Sequence, residues 1–234
     1  GPVSKRAVRP RPLWIALLVA ALSLVAPRPA LAATFHEYST VSESSAGSGY
    51  TGVSSARFDQ HFTGIPSTGC SSRYSGSPVY QTQWVLLTSD AKNWRELGTG
   101  HQCNDTYRYW FWGYGSAGTW YPLGGVSNIT NGSTHTFTIS RSFTGTSNTY
   151  IWTIDSTNRA TMTSSASGPY VQAGLESYAS AASGRYSLTT LRFQRNGGTM
   201  SAWAGRDGVT VNSTMCGRWV SDTSRVVGQN VSCA

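Results

Sequence analysis

Charged residues are scarce in this chain. Asp, Glu, Lys and Arg make up 12% of its 234 residues, and lysine occurs only as Lys5 and Lys92. The formal net charge is +8, but residues 1–32 hold five basic residues and no acid, so the remainder carries 8 − 5 = +3. A small positive balance on scattered arginines is a poor electrostatic basis for binding a polyanion. We therefore expect no nucleic-acid partner.

Long apolar runs are absent apart from one near the N-terminus. Basic residues between Lys5 and Arg11 precede an apolar stretch, Leu13–Val25, and Ala30–Ala32 has the A-x-A form of a cleavage site. This order is typical of a secretory signal peptide, and the apolar stretch is too short for a membrane span. We predict a signal peptide over residues 1–32, export to the extracellular space, and no membrane association after cleavage.

Cysteine is also rare, with only four residues. An even number in an exported chain predicts two disulfides, and we expect the local pairings Cys70–Cys103 and Cys216–Cys233. Metal-binding spacings such as C-x-x-C and H-x-x-x-H are missing, and no histidine stands in a recognisable catalytic-triad setting. The histidines are isolated in the sequence: His36, His61, His101 and His135. We expect neither a metal nor a cofactor.

No stretch has the periodicity of a long amphipathic helix. Short segments rich in aromatic and β-branched residues recur instead at roughly ten-residue spacing, separated by Gly, Ser and Asn. The predicted strands cover residues 53–62, 79–88, 106–114, 134–143, 149–154, 159–163, 170–178 and 188–195. Without a linker or internal repeat, this pattern predicts one all-β domain over residues 33–234, an antiparallel double-sheet β-sandwich of jelly-roll type.

Two glutamates stand out in this weakly charged chain. Alternate residues of a strand share a face, so Glu96 shares a face with Trp94 and Gly98, and Glu176 shares one with Gln172 and Gly174. Tyr170 and Tyr178 belong to the second face as well. Each glutamate then has an aromatic residue and a glycine on its own face, as the floor of a substrate site would. From the spacing alone, two ordinary surface glutamates on an exposed face are the more common arrangement.

Four short segments resemble the catalytic domain of the neprosin family of glutamic peptidases in order and spacing. They are Gln83-Trp84-Val85-Leu86, Glu96-Leu97-Gly98, the aromatic run Tyr107 to Tyr114, and Val171 to Glu176. The chain is similar, more distantly, to the fungal eqolisin peptidases. The resemblance covers about residues 50–195. Ala173 and Leu175 stand where the family has Trp and Gly, which alters the expected substrate pocket.

This resemblance implies a secreted endopeptidase that acts on protein or peptide substrates at acid pH. The two catalytic glutamates of the family fall on Glu96 and Glu176. By analogy with the family, Glu176 is the base that accepts a proton from water and Glu96 is its acid partner. The face-sharing residues Trp94, Tyr170, Gln172 and Tyr178, together with Tyr109 from the aromatic run, are candidate substrate contacts. We expect the enzyme to be a monomer.

Two other functions use the same residue types. A glycoside hydrolase would employ the two glutamates across a glycosidic bond, with a separation set by its stereochemistry. The E-x-D-x-E run that places both acids on one strand of some glucanases is absent. A non-catalytic carbohydrate-binding or surface-interaction module would present a planar row of Trp and Tyr, and its glutamates would lie far apart.

Overall fold

The computed structural model describes ten segments of the chain. They are residues 37–44, 53–61, 79–90, 92–102, 108–129, 132–144, 147–165, 170–177, 183–203 and 208–234. All of them belong to one compact unit, Phe35–Ala234. The predicted signal peptide, Cys70, Cys103, Tyr107 and Tyr178 lie outside the described residues.

Fifteen strands account for most of the described chain. They are β1 (Glu37–Ser44), β2 (Val53–His61), β3 (Val79–Asp90), β4 (Asn93–Gln102), β5 (Arg108–Ser116), β6 (Thr119–Ile129), β7 (Thr134–Thr144), β8 (Ser147–Ile154), β9 (Thr157–Ser164), β10 (Tyr170–Ser177), β11 (Gly184–Arg195), β12 (Met200–Ala202), β13 (Gly208–Val211), β14 (Met215–Ser221) and β15 (Ser224–Gln229). The described segments contain no helix. In that part of the chain no helix is long and apolar enough to cross a membrane.

The strands form two antiparallel sheets that pack face to face. The first sheet has the order β13-β1-β10-β3-β4-β5-β6. The second has the order β14-β15-β11-β2-β7-β8-β9, with β12 paired to β11. The predicted antiparallel double-sheet β-sandwich is confirmed. Neighbours in the first sheet, such as β10 and β3, are distant in sequence, so residues far apart in the chain reach the same surface.

The inner faces of the two sheets share one apolar core. Strand β8 illustrates how the core forms. Its inward residues, including Tyr150, Trp152 and Ile154, are buried, whereas the intervening ones are partly exposed. Phe58 and Phe137 from adjacent strands stack with ring centroids 5.0 Å apart. Burying an aromatic or branched aliphatic side chain contributes roughly 1.5–3 kcal/mol, so this core supplies the main stabilisation of the sandwich.

The predicted strands agree with the structure to within a few residues, but several real strands were not predicted. Strand β6 contains Pro122 and two glycines, which weaken a strand pattern, and proline is tolerated there because β6 is an edge strand. Strand β1 is mostly polar, and β12 to β15 are short. Strands β1 and β13 are held by pairing with partners distant in the chain, which local composition does not reveal.

One predicted disulfide is confirmed. Cys216 and Cys233 are bonded, and they close a loop with a sequence separation of 17. A loop of that size stabilises the folded chain by about 3 kcal/mol in the chain-entropy account. The bond joins β14, at the edge of the second sheet, to the segment after β15.

Candidate active site

Glu96 and Glu176 lie on the same face of the first sheet, the outer face that points away from the second sheet. Glu96 is on β4 and Glu176 is on β10, with β3 between these two strands. Each glutamate pairs with a residue of β3: Leu86 pairs with Glu96, and Thr82 pairs with Glu176. Residues paired in this way across neighbouring strands form one row of the sheet. The two glutamates are therefore placed diagonally across three neighbouring strands. The alternation of residues along each strand predicted which neighbours share a face with each glutamate. The pairing register shows that both glutamates are on the same face of the sheet.

Trp84 occupies the centre of this diagonal. It pairs with Gly98 on one side and with Gly174 on the other. Both glycines are required by close packing, because a Cβ at Gly98 would lie 2.8 Å from the Cα of Trp84. A Cβ at Gly174 would lie 2.5 Å from the carbonyl oxygen of Ser39. The glycines noted beside each glutamate thus flank one tryptophan between the two carboxyl groups.

The outer face at this point is buried although it does not pack against the second sheet. Trp84 is 3% exposed and Leu86 is 7% exposed, yet neither belongs to the core between the sheets. The indole nitrogen of Trp84 is buried and has no hydrogen-bond partner among the described residues. A buried N–H without a partner is costly, and among the described residues the indole nitrogens of Trp110, Trp112 and Trp203 share this state.

Glu96 is held in a largely dry environment. Its side chain is 9% exposed, and its Oε2 accepts a hydrogen bond of 2.9 Å from the indole nitrogen of Trp94. Burial is the main cause that raises the pKa of Glu96 to about 8, and the charge of Glu176 raises it further. The hydrogen bond from Trp94 acts in the opposite direction. Glu96 therefore keeps its proton at neutral pH.

Glu176 is partly exposed and has a different set of neighbours. Tyr38 lies directly opposite it on β1, and the Tyr38 hydroxyl forms a side-chain hydrogen bond with its carboxyl group. Burial and the charge of Glu176 both raise the pKa of Tyr38, so this hydroxyl remains a donor. Asn212 fixes the backbone of Tyr38 from the other side, where its Oδ1 accepts a hydrogen bond of 2.6 Å from the amide.

Tyr109 also lies within the field of both carboxylates. It is on β5, opposite Gly100 of β4. Its pKa is raised first by burial and then by the charges of Glu96 and Glu176. Both charges favour the protonated phenol, so the hydroxyl of Tyr109 remains a hydrogen-bond donor.

Aromatic rings and glycines line the side of the site toward β6. The indole of Trp94 occupies the space where Gly115 would carry a Cβ, and the indole of Trp120 does the same at Gly113, with Cη2 at 2.6 Å. Gly113 is paired with Glu96. Phe111 packs edge-on against Trp120, with ring centroids 6.0 Å apart. The side of the site next to Glu96 is therefore apolar and consists of aromatic rings packed against the backbone of glycines.

The backbone at Glu96 is anchored to the other sheet. The indole nitrogen of Trp152, on β8, donates a hydrogen bond of 2.9 Å to the carbonyl oxygen of Glu96. Trp152 is fully buried in the core. The core thus fixes the position of β4 at the residue whose side chain projects on the opposite face.

The remaining predicted contacts are distributed unevenly. Gln172 is partly buried and lies in the row of Glu96, since both pair with Leu86. Tyr170 is 43% exposed at the start of β10 and lies farther along the strand from Glu176 than Gln172 does. Tyr178 lies outside the described residues. The structure thus brings Trp94, Tyr109 and Gln172 around the glutamates and leaves Tyr170 toward the rim.

Tyr38 and Trp84 were not identified as site residues from the sequence. Trp84 stood inside a quoted motif, but only the register shows that it lies between the two glutamates. Tyr38 belongs to a strand that was not predicted, and its position depends on pairing with a strand distant in the chain. No local signal marks it. Among the described residues, no group of three or more His, Cys, Asp or Glu side chains could hold a metal ion.

This arrangement provides a proton donor and a proton acceptor on one buried face. Glu96 holds its proton because of burial and the nearby charge, whereas Glu176 receives a hydrogen bond from a hydroxyl that stays protonated. A buried carboxyl group that keeps its proton can act as a general acid, and a second carboxyl group on the same face can act as a base. Such a pair can activate water and protonate a leaving group. No protein-family model matches this chain, and no curated protein sequence is significantly similar to it.

Proposed function

We propose that this protein is a secreted endopeptidase of the glutamic type, related to the neprosin-like peptidases, in which Glu96 and Glu176 activate water against a peptide bond. The observation that carries the proposal is the strand register that places the two glutamates on one face of the first sheet, where burial and then the charge of Glu176 raise the pKa of Glu96. Their arrangement around Trp84 supports a shared substrate position between them.

In the proposed reaction, ionised Glu176 accepts a proton from a water molecule as its oxygen attacks the carbonyl carbon. Glu96 begins protonated and donates its proton, first as a hydrogen bond to the developing oxyanion and then to the leaving nitrogen. The C–N bond breaks. Glu176 then releases its proton to water and Glu96 regains one from water, which restores the starting state of both carboxyl groups.

Trp84 and Tyr109 are the proposed oxyanion and substrate donors. The indole N–H of Trp84 is buried without a partner among the described residues, and its row lies between those of the two glutamates. Donors that are already in position before the reaction lower the energy of a developing negative charge in a dry site. Gln172 adds an amide in the row of Glu96, where it can contact the substrate backbone.

A carbohydrate-binding module is less well supported by the shape of the aromatic wall. Binding the flat face of a sugar favours coplanar rings, but the planes of Phe111 and Trp120 lie at 80° to each other. Those of Tyr109 and Phe111 lie at 50°. A platform of this kind also gives no role to a buried glutamate that holds its proton. A glycoside hydrolase would employ the same dyad, so the test below includes glycans.

The test is hydrolysis of unfolded protein and of a peptide library between pH 3 and pH 9, roughly the range over which carboxyl groups with shifted pKa values titrate. We expect wild-type activity, and a loss of at least about 100-fold in Glu96→Gln and in Glu176→Gln. The matched control is Asp222→Asn, which changes an exposed turn carboxyl to an amide and should retain activity. Full activity in both glutamate variants would overturn the proposal, as would cleavage of glycans but not of peptides.

A further inference from the structure

A second cluster of reactive side chains is carried by strands of the second sheet, whereas the two glutamates lie on the first. The side chains of Ser133, His135 and Asp155 form a continuous hydrogen-bonded chain. His135 Nδ1 lies 2.6 Å from Asp155 Oδ2, and His135 Nε2 lies 2.9 Å from Ser133 Oγ. In the sequence His135 stands in no triad setting, because the aspartate arrives from another hairpin.

The fold brings the three residues together through strand pairing. Ser133 immediately precedes β7, His135 is the second residue of β7, and Asp155 lies in the turn between β8 and β9. This turn is tied to β7 by two backbone contacts: the Asp155 amide donates to the Thr136 carbonyl at 3.0 Å, and Asp155 Oδ1 accepts from the Thr136 amide at 2.9 Å. One carboxylate oxygen thus orients Asp155, and the other is left for the imidazole.

The tautomer of His135 follows from these contacts. A carboxylate accepts hydrogen bonds and cannot donate them, so the proton of a neutral imidazole resides on Nδ1, which faces Asp155. Nε2 is then the acceptor, and the Ser133 hydroxyl donates to it. A serine hydroxyl that donates to a histidine oriented by a carboxylate has the geometry of an activated nucleophile.

The imidazole is also fixed by packing. The ring of Trp110 meets that of His135 edge-on, with centroids 4.7 Å apart. The guanidinium of Arg159 lies 5.4 Å from the centroid of the same indole. The His135 side chain is 19% exposed, so it is held in place yet reachable from solvent. Preorganised and accessible groups are what a nucleophilic site requires.

We propose that Ser133, His135 and Asp155 form a second, independent hydrolytic site that cleaves small carboxylic esters through an acyl-serine intermediate. Ser133 Oγ attacks the ester carbonyl carbon and passes its proton to His135 Nε2. The bond to the leaving alcohol oxygen breaks, and that oxygen takes the proton from His135. Water then attacks the acyl-serine ester, gives a proton to His135, and releases the acid as the proton returns to Ser133. Asp155 stabilises the imidazolium without taking its proton.

The test uses a fluorophosphonate probe, which phosphonylates activated serines, and the chromogenic ester p-nitrophenyl acetate. In the intact wild-type protein we expect the probe on the peptide that contains Ser133, found by mass spectrometry. We expect Ser133→Ala and Asp155→Asn to lower steady-state ester turnover by about 100-fold or more. Ser142→Ala changes an exposed serine of β7; this variant is the matched control and should turn over ester as wild type does.

Variants of the two glutamates distinguish the proposed esterase site from the proposed peptidase site. Glu96→Gln and Glu176→Gln should abolish peptide hydrolysis and leave ester turnover and probe labelling unchanged. Labelling of the wild type needs no variant to fold, so its absence at Ser133 would overturn the proposal. Equal ester turnover in a folded Ser133→Ala variant would also overturn it, because His135 alone would then be acting as an ordinary surface nucleophile.

Discussion

The indole nitrogen of Trp152 in one sheet donates a 2.9 Å hydrogen bond to the backbone carbonyl of Glu96 in the other. Trp152 is fully buried, so the bond is shielded from water. It joins the core of the sandwich to the strand that presents the buried carboxyl group on the outer face. The position of Glu96 therefore depends on a residue that lies on the opposite side of its sheet.

Trp152→Phe tests this connection. The variant keeps an aromatic ring but leaves the Glu96 carbonyl without its donor, and we expect a loss of roughly 2–3 kcal/mol in the free energy of unfolding. Peptide hydrolysis should fall mainly in kcat, because β4 is no longer held in register with the substrate position. Chemical denaturation and steady-state kinetics measure the two effects.

Trp203→Phe is the matched control for that variant. Trp203 is also fully buried in the core, but its indole nitrogen has no hydrogen-bond partner among the described residues. The Trp203→Phe protein should lose stability only because its side chain is smaller, and its kcat should be normal. A Trp152→Phe protein with unchanged kcat would show that the link to Glu96 has no role in catalysis.

Tyr38→Phe removes the hydroxyl that hydrogen-bonds to Glu176. A carboxyl group that loses a hydrogen-bond donor is held less firmly, so we expect activity near the optimum to fall about 10-fold. Steady-state measurement of kcat/KM reports this change, and Tyr121→Phe, an exposed tyrosine of β6, should leave it unaltered.

Much of the fold was predictable because it rests on local patterns. Turn residues and β-branched runs marked eight strands, and strand parity correctly placed Trp94 and Gly98 on the face of Glu96. The pairing of strands was not predictable, because it depends on contacts between distant segments. Register alone puts Trp84 between the two glutamates and Tyr38 beside Glu176.

The same reasoning explains why the cluster around His135 was not found. Ser133 and His135 are close in sequence, but a short spacing of this kind is common and carries little information. Asp155 joins them because β7 and β8 pair in one specific register, with Phe137 opposite Ile154. The turn then overhangs the start of β7. Only strand pairing reveals such a site.

The alkaline limit of peptide hydrolysis should be set by Glu96. Its pKa is raised to about 8 by burial and by the charge of Glu176, so the acid form that donates a proton is lost above that value. We expect kcat/KM to decline as the pH passes about 8, so activity should extend from the acid range that the family resemblance implies into the neutral range. A profile that ends below pH 5, close to the pKa of an ordinary carboxyl group, would contradict the buried, protonated Glu96.

Stability should follow the same group. The pKa of Glu96 rises from an ordinary value of 4.5 when the chain is unfolded to about 8 when it is folded. Its contribution to stability is complete below pH 4.5 and is lost as the pH rises through 8, by up to about 1.4 kcal/mol per pH unit. Glu96→Gln should remove this dependence and gain stability relative to wild type at neutral pH, whereas Asp222→Asn should follow the wild-type curve. Denaturation midpoints between pH 4 and pH 9 cover the relevant window.

The central claim is that Glu96 and Glu176 act as one unit, and a double-mutant cycle measures this directly. Peptide hydrolysis is compared in wild type, Glu96→Gln, Glu176→Gln and the combined variant. Residues that act together show grossly non-additive losses of activity. We therefore predict that the combined variant hydrolyses peptide no more slowly than the less active of the two single variants. Losses that multiply, with each single variant retaining substantial activity, would show two independent carboxyl groups and contradict the account.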